Sequence, residues 1–123
     1  DAFAASEIVQ QAMVIGDERK FVSALLVPNL HHVRTWAEKA GVDLPDDPEA
    51  VCRDDRVVEY VADEVDRINE RFEDYETIKK FRLVPIEFTE DNDLLTPTMK
   101  KKRRNVLERF GDRVEEMYEE SDE

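Results

Sequence analysis

The chain has 123 residues and a formal net charge of −13, with 31 Asp and Glu against 18 Lys and Arg. That describes one domain with a single modest core, and a surface that repels nucleic-acid phosphates and anionic lipid headgroups at long range. No apolar run approaches the roughly 20 residues of a membrane span, no signal peptide opens the sequence, and the single Cys52 excludes a disulfide framework or a cysteine-based metal site. A cytoplasmic location is expected, with any membrane association peripheral. The opening at Asp1, without a Met, reads as a processed or excised piece. Such acidity suits a salt-adapted source, where screening removes self-repulsion. Disorder is the competing reading of high charge, and it fails because the apolar residues are well patterned.

Ala2 to Ile8 reads as the tail of a helix that begins upstream. Ala12-Met13-Val14-Ile15 and Phe21 to Val27 are apolar runs joined by a polar loop containing Gly16, the pattern of a β-hairpin covered on both faces. Pro28 ends the second strand. Asn29 then caps a helix carrying Leu30, Val33, Trp36, Ala37 and Ala40, stopped by Gly41. A loop from Val42 to Pro48 follows. Asp54 or Asp55 caps the clearest helix, whose stripe is Val58, Val61, Val65, Ile68 and Phe72. Ile78 to Ile86 reads as a strand, with Pro85 favouring an edge or a strand end. Val106, Leu107, Phe110, Val114, Met117 and Tyr118 again have helical spacing, split at Gly111, and Glu119 to Glu123 is an acidic, frayed end. The fold class is α+β: a small sheet with a β-hairpin and an additional strand, packed by several helices.

Most polar candidates have plain explanations. His31 and His32 point about 100° apart on a helix and cannot share a metal easily, so they read as exposed. Cys52 lies beside Arg53 with no histidine near it in sequence. Asp43, Asp46 and Asp47 lack the alternating ligands of a calcium loop. Asp63, Glu64 and Asp66 read as a solvent face. No metal site is expected.

The stretch Thr96-Pro97-Thr98-Met99-Lys100-Lys101-Lys102-Arg103-Arg104 is different, because its sign opposes that of the whole chain. Cations at a helix start oppose the macrodipole. That favours an anion that visits, such as a phosphate held by helix amides and lysine together. A basic surface patch neutralised by the many carboxylates explains the charge equally well.

Thr96 to Arg104 resembles the last core motif of the adenylate-forming superfamily, usually Thr-x-Ser-Gly-Lys-Ile-x-Arg-Arg. Its Thr-Pro-Thr-x-Lys form is similar to that of long-chain fatty acyl-CoA synthetases. Val14-Ile15-Gly16-Asp17 with Ser23 to Asn29 resembles that subgroup's hairpin, and Phe88-Thr89-Glu90-Asp91-Asn92 resembles its approach to the lysine. The likeness runs in register over nearly the whole chain. Two positions depart from it. Met99 replaces the superfamily's Gly, as suits the long-chain subgroup, and Asp93 stands where that subgroup often has Gly, which puts the shape of the turn in question.

The resemblance implies that residues 1–123 are the small, mobile C-terminal domain of a long-chain fatty acid–CoA ligase. The partner would be the N-terminal domain of the same polypeptide, which binds ATP and the acyl chain and carries the Gly-rich phosphate loop. Fatty acid, ATP and CoA would be the substrates, with Mg accompanying ATP, and no nucleic acid is involved. Lys100 would be the catalytic lysine of adenylation, and Thr96, Pro97 and Thr98 the turn that presents it. Lys101, Lys102, Arg103 and Arg104 would supply charge support, anion contacts or interdomain contacts. A ligase for a different carboxylic acid, and a non-enzymatic acidic interaction module, are the alternatives.

Overall fold

β1 (Val9–Ile15) and β2 (Val22–Pro28) pair antiparallel, and β3 (Ile78–Leu83) adds to β2 in parallel, giving the order β1-β2-β3. This is a computed structural model, and it describes residues 2–119. The central strand explains its own composition. Ala24 and Leu26 enter one core and Leu25 and Val27 enter the other, so a strand buried on both faces reads as continuously apolar. On β1 the alternation is reset by a register shift between Val9 and Gln11. Val9 and Ala12 therefore share the first core, while Met13 and Ile15 face the second.

A parallel pair needs a long crossover, and three helices fill it: α1 (Leu30–Ala40), α2 (Pro48–Arg53) and α3 (Asp55–Asn69). Asn29 caps α1 by accepting from the His32 amide at 3.1 Å, and Gly41 closes it with φ 73. Asp54 caps α3, whose Val57, Val61, Val65 and Ile68 lie against the sheet. The opposite face is covered by α4 (Arg103–Arg109) and α5 (Gly111–Glu119) through Val106, Phe110, Val114 and Met117. The α+β class, the hairpin, the additional strand and the break at Gly111 are all as the sequence implies. Among the described residues no helix is long and apolar enough to cross a membrane.

Several local expectations need correction. Ala2 to Ala5 form turns, not a helix tail, and the chain enters β1 through Ser6, whose Oγ accepts from the Ile8 and Val9 amides. The Val42–Pro48 loop ends one residue early, since Pro48 opens α2. Asp47 as cap with Pro48 and Glu49 behind it is a helix-start signature that hydrophobic periodicity alone passes over. β3 stops at Leu83 and not at Ile86. Glu119 closes α5, and residues 120–123 of the expected acidic end lie outside the described residues.

Glu64 requires the largest correction. It is buried, receives the Ser6 hydroxyl at 2.5 Å, and pairs with Arg67 at 2.8 Å. The Arg67 hydrogen bond holds its carboxyl below the usual range, against the opposing effect of burial. A carboxyl lowered on folding stabilises above its unfolded value, about 4.3, and that contribution is lost as pH falls through the lower folded value. The Glu64→Gln domain should therefore lose about 1 kcal/mol at neutral pH. The deficit should shrink below about pH 4, read as urea midpoints across pH. An unchanged deficit at pH 3 would remove the ionic explanation.

Candidate functional site

The basic stretch folds as a tight, braced turn. Leu95 and Lys101 bridge antiparallel, and the Lys102 amide donates to the Leu94 carbonyl at 2.9 Å. Nearer the tip, the Thr96 amide donates to the Lys100 carbonyl at 2.8 Å, and the Met99 amide donates to Thr96 O at 2.9 Å. Pro97 supplies the fixed φ suited to the first central position of a turn. Thr96 Oγ1 accepts from the Lys100 amide at 3.0 Å and lies 3.2 Å from Thr98 Oγ1. Met99 has φ 66, the left-handed residue that closes a three-residue hairpin loop.

The base of this turn is anchored and its tip is not. Leu94 and Leu95 are buried in the second core with Phe88, while Pro97, Thr98, Met99 and Lys100 are exposed. The approach is locked by a reciprocal pair in which the Thr89 amide donates to Asn92 Oδ1 and the Asn92 amide to Thr89 Oγ1. Gln11 on β1 pins the same segment, donating to Phe88 O at 3.0 Å and accepting from the Phe88 amide at 2.7 Å. Nothing in the sequence marks Gln11 for this, because its partner is 77 residues away.

The two departures from the family pattern share one geometry. Asp93 has φ 65 and Met99 φ 66, so each non-glycine residue sits in the conformation that glycine adopts without strain. The turn at Asp93 is therefore kept left-handed, by an aspartate, a residue that tolerates that region better than most. Methionine tolerates it poorly. Met99→Gly is expected to stabilise the domain by roughly 0.5–1 kcal/mol, read from the denaturant midpoint. No gain would mean that the Met99 backbone is not strained.

The five cations do not act together. Lys102 Nζ pairs with Asp93, Arg103 Nη1 donates to the Val14 carbonyl at 2.9 Å, and Arg104 faces Glu108 at 3.6 Å. Lys100 and Lys101 have no side-chain partner among the described residues. Only Arg103 and Arg104 lie within α4, so the cluster is not a helix start as a unit. The carboxylate at that start is Asp93, which also accepts from Asn105 Nδ2 at 3.1 Å. It supplies the negative charge that a helix N-terminus favours and that the local sequence lacks.

The other candidates are placed elsewhere. Cys52 is buried, and burial pushes its thiol up to about 12, which makes it inert as a nucleophile at neutral pH. His31 is exposed as expected, but His32 is half-buried, with Nε2 2.9 Å from Tyr60 Oη. Asp46 and Asp47 serve α2 and Arg34: Asp47 caps the helix and the Asp46 carbonyl accepts from the Arg34 guanidinium at 2.9 Å. Among the described residues no three His, Cys, Asp or Glu side chains converge as metal ligands.

These features define a small α+β domain that presents a cation outward from a braced turn, with no site enclosed around it among the described residues. The chain belongs to the family of AMP-binding enzyme C-terminal domains, whose model matches residues 1–122. It is 34% identical to a long-chain-fatty-acid–CoA ligase of Mycobacterium tuberculosis, over 96% of this chain and 20% of that protein. A long-chain-fatty-acid–CoA ligase of Schizosaccharomyces pombe is 37% identical over 94% of the chain and 18% of its own length. Among solved structures, the adenylation domain of a carboxylate reductase from Mycobacterium chelonae superposes with a TM-score of 0.70 at 25% identity, covering 95% of this chain and 16% of that one. The corresponding domain from Segniliparus rugosus, in complex with AMP and a co-purified carboxylic acid, gives 0.70 at 26%, covering 97% and 17%. The chain thus spans about a fifth or less of the proteins it matches.

Proposed function

We propose that residues 1–123 form the mobile C-terminal domain of a long-chain fatty acid–CoA ligase, and that Lys100 is its adenylation residue. The observation that carries this reading is the state of Lys100: a cation at the exposed tip of a braced turn, with no partner among the described residues, while Lys102, Arg103 and Arg104 are engaged. Neutralising the acidic surface does not account for such a placement.

In the proposed reaction a fatty carboxylate oxygen attacks the α-phosphorus of ATP, and the bond to the departing pyrophosphate breaks. Both reactants are anionic, and charge builds on the transferring phosphoryl oxygens. The Lys100 ammonium, brought between them, offsets the repulsion and stabilises that charge. Lysine suits this as a compact charge on a long stem. Withdrawal of the turn then clears the adenylate for the CoA thiol, and a small domain with its own core suits such a movement. Thr96, Pro97 and Thr98 shape the turn, and Lys101 is left for contact with an anion or with the larger domain. The N-terminal domain of the same polypeptide is the partner in this reading, with fatty acid, ATP and CoA as substrates. The described residues do not fit magnesium, which would accompany ATP. Alone, the domain folds and is inactive.

A second reading is a ligase for a different carboxylic acid, in line with solved neighbours that are reductases of carboxylic acids. The higher identity to the long-chain ligases, 34% and 37% against 25% and 26%, favours the first. The test separates the two half-reactions in the full-length enzyme. Lys100→Ala must stop ATP-dependent adenylate formation and leave thioester formation from supplied acyl-adenylate running.

A further inference from the structure

We infer that Asp93 is a positioning residue for the adenylation half-reaction, a side-chain latch that holds the Lys100 turn against α4. This rests on the assignment of Lys100 proposed above. The turn from Leu94 to Lys102 emerges between two segments, the Thr89–Asp93 approach and the first turn of α4. Main-chain bonds close the turn on itself and join its base to Lys102, the cap residue of α4; the bonds of Asp93 add a second tie, to the side chains of Lys102 and Asn105. Asp93 bonds across that junction with both its side chain and its backbone. Its carboxylate takes Lys102 Nζ on one oxygen and Asn105 Nδ2 on the other at 3.1 Å. Its carbonyl takes Asn105 Nδ2 at 2.8 Å.

Lys102 is the cap residue of α4 and Asn105 lies in its first turn, so the contacts fall on both sides of the helix start. Arg103, between them, reaches across to the Val14 carbonyl and fixes the same helix end to β1. The backbone at Asp93 is left-handed, with φ 65. A glycine there would take the same backbone shape and keep the carbonyl bond to Asn105, but it would lose both carboxylate contacts. This chain therefore uses an aspartate, where the long-chain subgroup often has glycine, to fix the aim of its lysine. A near-attack geometry is sensitive to displacements of about 1 Å, so a turn that is intact but loosely aimed is expected to slow chemistry without weakening substrate binding.

The experiment compares Asp93→Gly, Asp93→Asn and Lys100→Ala in the full-length enzyme. Gly accepts φ 65 freely, so folding is not at issue for the first variant. Asp93→Gly is expected to lower kcat of ATP-dependent adenylation about tenfold, with KM for ATP and thioester formation from supplied acyl-adenylate unchanged. Asp93→Asn, which can still pair with Asn105 but loses the Lys102 ion pair, should recover part of the rate. Hydrogen exchange over residues 94–102 should quicken in Asp93→Gly. Wild-type adenylation in Asp93→Gly, with Lys100→Ala inactive, overturns the latch alone. An equal fall in both half-reactions also overturns it, since that marks a general structural role. Normal adenylation in Lys100→Ala removes the assignment of Lys100 and the latch with it.

Discussion

Lys100→Ala in the full-length enzyme is expected to lower ATP-dependent adenylate formation by about a thousandfold. That is roughly 4 kcal/mol of transition-state stabilisation. The reason is electrostatic. In the proposed reaction the ammonium would sit between two anions in a site closed to water, where one fixed charge counts for far more than on a wet surface. Replacing it should hardly disturb the domain, because the side chain is exposed and no described residue bonds to it. Stability should stay within about 0.5 kcal/mol of wild type. Thioester formation from supplied acyl-adenylate should continue, because in the proposed cycle that step follows withdrawal of the turn. Lys100→Arg should restore only part of the loss, since a planar guanidinium does not reproduce a compact point charge. Pyrophosphate release at the normal rate from Lys100→Ala would remove the assignment.

Phe88→Ala is expected to destabilise the isolated domain by about 3–5 kcal/mol, a large share of the stability of a domain this size. Phe88 is 1% exposed, lies 6.3 Å from the Phe110 ring between centroids, and shares its core with Leu94 and Leu95. Deleting the ring leaves a cavity beneath the anchored base of the Lys100 turn. It does so in a segment whose backbone is already held by Gln11, so little collapse can relieve it. Tyr75→Ala is the control. At 80% exposure it should change stability by less than about 0.5 kcal/mol. Urea midpoints measure both, and a loss under about 1 kcal/mol for Phe88→Ala would contradict the packing of this core.

Much of this architecture is local, and local structure is legible in a sequence. The hairpin follows from two apolar runs about a glycine-containing loop, α1 from Asn29 and Gly41, and α3 from a regular stripe behind Asp54. The Lys100 turn is legible as well, because Pro97 and the two threonines carry their turn chemistry within a few residues. What escapes such a reading is non-local or lies off the main pattern. Glu64 sits among charged neighbours that point to solvent, and only the arrival of Ser6 makes its place a polar, buried one. α2 is too short to show a stripe. The Ala2–Ile8 segment has the residue types of a helix, but Ser6 Oγ accepts from the Ile8 and Val9 amides at the entry to β1 instead.

The sequence by itself determined the class of the domain, both ends of α1, the start of α3, and the turn that carries Lys100. Each depends on contacts between residues close in the chain, where spacing and residue type are enough. Tertiary structure alone decided that β3 joins β2 in parallel and that the basic run divides into engaged and free cations among the described residues. It also decided that Gln11 and Asp93 brace the approach to Lys100. These depend on which surfaces meet when the sheet is covered on both faces. The partner of a polar side chain is then set by packing, and packing brings together residues that no period in the sequence connects.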